Sequence, residues 1–132
     1  MSKLVFITGA SSGIGQALAA RFHQAGYRLA LVARRVDEVK QWADRHSIGA
    51  ERYQIYSADV ALPDSIIAAG RQCMEAQGLP DVVIASAGVS IGVDSAVRED
   101  LEVMAQTFAI NNTGLAATFH PFIDGMVARR SG

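Results

Sequence analysis

Apolar and polar positions along the chain alternate between two periods. Lys3–Thr8 is a short β-rich run that feeds a loop carrying Gly9, Gly13 and Gly15. From Ile14 to Ala25 the apolar residues Ile14, Leu18 and Phe22 recur every fourth position, which predicts a helix with one inward face. Gly26 suits a left-handed cap behind it. Tyr27–Ala33 is nearly continuous in apolar residues, as a parallel strand covered on both faces should be, and Arg34-Arg35 close it. Val36–His46 reads as a helix with Val39, Trp42 and Ala43 inward, and Glu51–Ser57 as a third strand followed by Asp59-Val60. Pro63 opens a helix whose stripe is Ile66, Ile67, Gly70, Cys73 and Met74, and Gly78 ends it. Asp81–Ser86 is a fourth strand, apolar without alternation, stopped by Ala87-Gly88. A long helical stretch, about 98–130, follows. Asn111-Asn112 and Gly114 weaken it midway, and Pro121 is expected to kink it.

The order βαβαβαβα predicts the α/β class: a Rossmann-type, doubly wound parallel sheet, with residues 1–132 forming one domain. Right-handed crossovers give the four strands the order 3-2-1-4 and put the ligand crevice at the carboxyl ends of strands 1 and 4. The glycine loop lies at that crevice. Gly9 lets the chain turn off the strand, Gly13 lets a ligand approach the backbone, and Gly15 lets the helix pack closely. The unpaired amides of the first helical turn, from Gly13, Ile14 and Gly15, favour an anion together with the helix dipole. The hydroxyls of Ser11 and Ser12 can add to them. The expected anion is the pyrophosphate of a dinucleotide. The spacing is G-x-x-x-G-x-G rather than G-x-G-x-x-G, so the argument rests on the strand before the loop and the helix after it. The competing reading is a glycine-rich turn that binds nothing.

Arg34 and Arg35 follow the second strand, where NAD-selective folds place an acid on the ribose 2′-hydroxyl. A guanidinium there attracts a 2′-phosphate instead, which favours NADP(H) over NAD(H). A solvated arginine pair is the alternative.

The chain has 132 residues, half of them hydrophobic, and a net charge of −1, so it can bury a core and shows no basic stripe for nucleic acid. No apolar run is long enough to span a bilayer, and the balanced charge gives no reason to expect an anionic membrane surface. Cys73 is the only cysteine, which excludes an internal disulfide or a cysteine-based zinc cluster, and no metal site is expected. A cytoplasmic location is the default expectation. His23, His46 and His120 read as surface or satisfied histidines, and Cys73 as a small buried hydrophobe.

Thr8-Gly9-Ala10-Ser11-Ser12-Gly13-Ile14-Gly15 resembles in full the cofactor loop of the short-chain dehydrogenase/reductase family. Asp59-Val60 stands where that family places an Asp-hydrophobic pair against the adenine. Ser86-Ala87-Gly88 is similar to its Asn-Ala-Gly turn, and Asn111-Asn112-Thr113-Gly114 to the Asn-x-x-Gly of its long helix. The resemblance implies that Asp59, Val60, Ala87 and Gly88 contact cofactor. It makes Asn111 the one member of the catalytic tetrad present. It also implies hydride exchange between a nicotinamide and a small carbonyl or alcohol substrate.

Two departures stand out. Ser86 replaces the usual Asn, which removes an amide that braces neighbouring strands in the family. The family's Ser and Tyr-x-x-x-Lys are missing, since the lysines are Lys3 and Lys40 and none lies four residues after Tyr27, Tyr53 or Tyr56. The chain therefore reads as the N-terminal portion of such an enzyme, truncated before a fifth strand, binding cofactor weakly or not at all and turning nothing over. Self-association through the fourth strand or the last helix is expected. A non-catalytic dinucleotide sensor or an interaction module is the other reading.

Overall fold

The first strand, β1 (Leu4–Thr8), is buried along its whole length. A computed structural model, describing residues 2–11 and 13–132, places it inside a four-stranded sheet. The other strands are β2 (Arg28–Ala33), β3 (Tyr53–Ser57) and β4 (Val82–Ile84). Their order is β3-β2-β1-β4 and every pairing is parallel, as the alternating pattern predicted. Leu4 pairs with Arg28 and Thr8 with Val32 on one side of β1, and Val5 pairs with Val82 on the other. The helices are α1 (Gly13–Gln24), α2 (Val36–Arg45), α3 (Pro63–Ala76), α4 (Asp100–Phe108) and α5 (Gly114–Arg129).

Because side chains alternate along a strand, β1 supplies two cores. Leu4 and Phe6 join Ala30 and Val32 beneath α3 and α5, through Ile66, Cys73 and Phe122. Phe6 and Phe122 meet edge to face with centroids 4.9 Å apart, a favoured aromatic arrangement. Val5 and Ile7 join Leu29 and Leu31 beneath α1 and α2, through Ala19, Val39 and Trp42. One pair of helices thus covers each face of the sheet.

Four expectations change in detail. Ile14 is 74% exposed, and the inward face of α1 is Gly15 and Ala19, flanked by Leu18 and Phe22. Ile14 joins neither core. The third strand begins at Tyr53 because Ala50–Arg52 forms a 3₁₀ turn. The fourth strand is three residues long and half-buried throughout, since β4 is the sheet edge. The long last helix is two helices, α4 and α5, joined by a π-helical segment, Ala109–Thr113, that contains the Asn-Asn pair. Pro121 lies inside α5, and its ring packs where a Cβ on Gly70 of α3 would stand. Arg129 closes α5 by donating to the Leu79 and Pro80 carbonyls, at 3.3 and 2.7 Å.

Residues 85–99 form neither helix nor strand, and α4 buries none of its side chains. Among the described residues no helix is long and apolar enough to cross a membrane.

Cys73 is completely buried on the inner face of α3, as expected. Burial pushes its thiol up to about 12, against smaller opposing pulls from a hydrogen bond with Tyr56 and from the Arg28 charge. The Tyr56 hydroxyl, which donates to Gln77 Oε1 at 2.9 Å, is also raised, again chiefly by burial. A raised folded-state value keeps the thiol neutral in the fold. Its stabilising contribution is complete below the unfolded value of 9.0 and is lost as pH climbs toward about 12. The urea midpoint should therefore fall between pH 9 and 11. The fall should be shallower in Cys73→Ala; equal slopes for the two chains would refute this account.

Candidate functional site

At the carboxyl ends of β1 and β4 a cavity of about 330 Å³ opens, at the switch point the strand order defines. Its floor is the glycine loop. Gly9 has φ +68°, and a Cβ there would stand 2.9 Å from the Ala87 nitrogen, so only glycine serves. A Cβ on Gly15 would overlap the Gly9 carbonyl oxygen. The close packing thus falls on the turn itself rather than on the strand. Gly9, Ser11, Gly13, Ile14 and Gly15 all border the cavity, while Ser12 lies outside the described residues. Since α1 begins at Gly13, its first amides have no intrahelical acceptor and are left for a ligand at the cavity wall.

The roof is the turn after β4. Thr8, fully buried at the end of β1, accepts from the Ser86 nitrogen at 3.1 Å and the Ala87 nitrogen at 3.2 Å. One hydroxyl oxygen therefore ties the exits of β1 and the edge strand β4 together. Asn111 holds the next stretch: its Oδ1 accepts from the Val89 nitrogen at 2.9 Å and its Nδ2 donates to the Val89 carbonyl at 2.7 Å. Both ends of the amide thus bond that backbone, and its neighbour Ile110, not Asn111, borders the cavity. The π-helical turn, a common device at functional sites, carries both residues.

The far wall combines the ends of β2 and β3. Arg34, Asp59 and Val60 border the cavity, as do Ala87 and Gly88 on the opposite side. Asp59 Oδ1 accepts from the Ala61 nitrogen at 2.9 Å, so one of its oxygens shapes the turn into α3. Arg35 is not brought to the wall. Its side chain is 79% exposed and its Nη1 lies 3.0 Å from Glu38 Oε1. Consecutive residues in extended backbone point to opposite sides, and Arg35 leaves β2 in that conformation.

The cavity therefore presents first-turn helix amides and hydroxyl-bearing Ser11 at the loop, a guanidinium at the end of β2, and apolar Val32, Ala58 and Ile110 between. That donor set fits an elongated ligand with anionic groups and a flat apolar middle, which is the chemistry of a dinucleotide. Thr8, Val89 and Ile110 were not predicted from the sequence. The strand ends at the switch point signal Thr8 and Val89, whereas nothing in the sequence pattern distinguishes Ile110 from its neighbours.

Fold and cavity define the class: a parallel, doubly wound nucleotide-type domain with its site at the first βα turn. Residues 3–132 match the family model for short chain dehydrogenase. The chain is 33% identical over 137 residues to a mouse protein called dehydrogenase/reductase SDR family member 7B, covering 98% of this chain and 41% of that one. A short-chain dehydrogenase from Streptomyces avermitilis superposes with a TM-score of 0.87 at 26% identity, over 99% of this chain and 47% of the other. A metagenomic short-chain oxidoreductase solved in complex with NADP gives a TM-score of 0.88 at 25% identity, over 100% of this chain and 60% of the other. The chain belongs to the short-chain dehydrogenase/reductase family. It spans about two fifths of the length of the mouse relative.

Proposed function

We propose that this chain is the NADP(H)-binding portion of a short-chain dehydrogenase/reductase that exchanges hydride between nicotinamide and a carbonyl or alcohol carbon. The observation that carries the reading is Arg34, which stands at the end of β2 on the cavity that α1 opens onto. The family membership and the NADP-bound neighbour support it. The first amides of α1 and Ser11 would hold the pyrophosphate, Asp59 and Val60 would flank the adenine, and Arg34 would meet the 2′-phosphate. The cofactor, when bound, supplies the hydride. Thr8 and Asn111 keep the turn after β4 in place, so that Ala87, Gly88 and Val89 can line the cofactor's path. In the family Asn111 would also belong to a proton relay, and its partners there are the Ser and Tyr-x-x-x-Lys that residues 1–132 do not contain. These residues alone therefore bind cofactor weakly and turn nothing over. Self-association belongs to the same proposal, supported by the open edge of β4 and the exposed Leu115, Ile123 and Val127 of α5.

Titration calorimetry at low ionic strength tests the cofactor assignment. NADPH should bind more tightly than NADH by about tenfold, the effect of a charge-assisted hydrogen bond. Arg34→Ala should remove the preference while leaving NADH binding in place. The same preparation should show no carbonyl-dependent oxidation of NADPH. Equal affinity for the two cofactors would overturn the assignment.

A further inference from the structure

We propose that Glu38 tunes the selectivity of this site by holding Arg35 away from the 2′-phosphate, an inference that rests on the NADP(H) reading above. Arg34 and Arg35 are adjacent, yet only Arg34 borders the cavity. Arg35 is tied to Glu38 of the first turn of α2, at 3.0 Å, with both side chains substantially exposed. Asp37 precedes Glu38 in that turn. The β2–α2 corner thus carries two guanidinium and two carboxylate groups, and its formal charge sums to zero.

A phosphate monoester offers about two negative charges and three acceptor oxygens. One guanidinium engages two of those oxygens at most, which leaves room for a second donor. Arg35 has the reach of a long, flexible side chain, and the pair it must leave is an exposed i,i+3 contact, a class that contributes little stability. Phosphate and Glu38 therefore compete for one guanidinium, and what the Glu38 pair contributes is subtracted from phosphate binding. Glu38 also repels the incoming phosphate directly. Both effects weaken binding of a 2′-phosphorylated ligand and leave a ligand without that phosphate unaffected. Asp59 borders the same cavity, but its charge faces both kinds of ligand alike. Glu38 is thus a specificity-determining residue that never needs to touch the ligand.

The test uses adenosine 2′,5′-bisphosphate and AMP as probes, because they need only the adenosine half of the site. Dissociation constants for the 132-residue chain are measured by chemical-shift titration at one low ionic strength, since exposed charges are screened by salt. Glu38→Gln should tighten the bisphosphate roughly two- to fivefold and leave AMP unchanged. Adding Arg35→Gln to Glu38→Gln should cancel most of that gain. A bisphosphate-to-AMP preference that stays the same in Glu38→Gln, or an equal tightening of both nucleotides, overturns the inference while the NADP(H) reading stands. A parent chain that does not prefer the bisphosphate, or an Arg34→Ala chain that keeps the preference, overturns both.

Discussion

A Thr8→Val chain should be less stable than the parent by about 2–3 kcal/mol, although the two side chains have nearly the same shape. Thr8 is completely buried, and valine would fill its space. What valine cannot do is accept a hydrogen bond. Two backbone donors, the Ser86 and Ala87 nitrogens, converge on the threonine oxygen from 3.1 and 3.2 Å. Both sit in the turn that leaves β4, and that strand is only three residues long, so few other bonds hold it. Leaving a buried donor unpaired costs about 1–3 kcal/mol, and here two are orphaned by one substitution. Their partial exposure keeps the sum near the lower end. Thr8→Ser keeps the oxygen and should lose about 1 kcal/mol or less, the methyl's share. Urea midpoints of the three chains measure this directly. If valine is tolerated as well as serine, the oxygen is not what joins the two strands.

The serine at position 86 makes this joint more consequential. Ser86 carries no side-chain amide that could brace the neighbouring strands. In the structure the brace between β1 and β4 runs through Thr8 to the backbone of Ser86 and Ala87, bonds that need no particular side chain at position 86. Thr8 and Asn111 then act at opposite ends of one short turn, the first on residues 86 and 87, the second on residue 89. The roof of the cavity is in this way hung from a strand and a helix rather than self-supporting.

The sheet order, both cores and the place of the cavity were legible because they follow from periodicity and from the hand of the crossovers. Buried runs such as Leu29–Val32 and the glycine loop leave little freedom. Less legible was anything decided by where an element sits relative to the sheet's boundary. Ile14 fits the helical stripe yet is exposed, bordering the cavity at the start of α1 instead of joining a core. The fourth strand's edge place followed from the predicted order, but its apolar run did not show that pairing stops at Ile84, three residues in. The pair Arg34-Arg35 was treated as a unit. Only the extended backbone of Arg35 and the reach of Glu38 separate the two side chains, and both are tertiary facts. The two bonds by which Asn111 holds the Val89 backbone were not legible either, since they join residues 22 positions apart.

Gly15→Ala is expected to destabilise the chain by about 2 kcal/mol, against the grain of helix propensity. Alanine inside a helix is normally favoured over glycine by about 1 kcal/mol. At this position the added methyl would overlap the Gly9 carbonyl oxygen, and Gly9 carbon would lie only 2.7 Å away. These are backbone atoms, which cannot rotate aside as a side-chain tip can. Gly9 itself is pinned, with φ +68° and Ala87 against its other side. The helix could relieve the overlap only by lifting from the loop. One turn further on, Ala19 is fully buried, and beyond it Phe22 packs edge to face on Tyr27 at 4.9 Å. Lifting α1 would therefore open the core and carry its first amides away from the cavity wall, so nucleotide binding should weaken along with stability. Gly125→Ala in α5 gives the contrasting case. There the nearest atoms are the side-chain carbons of Leu79, at 3.0 and 3.3 Å, and they can move. That chain should match the parent or gain up to about 1 kcal/mol from helix propensity. Opposite signs for two Gly→Ala changes within helices, read from urea midpoints, would establish that the α1 contact is steric. A Gly15→Ala chain as stable as Gly125→Ala would show that the loop yields, and that the floor of the cavity is not rigid.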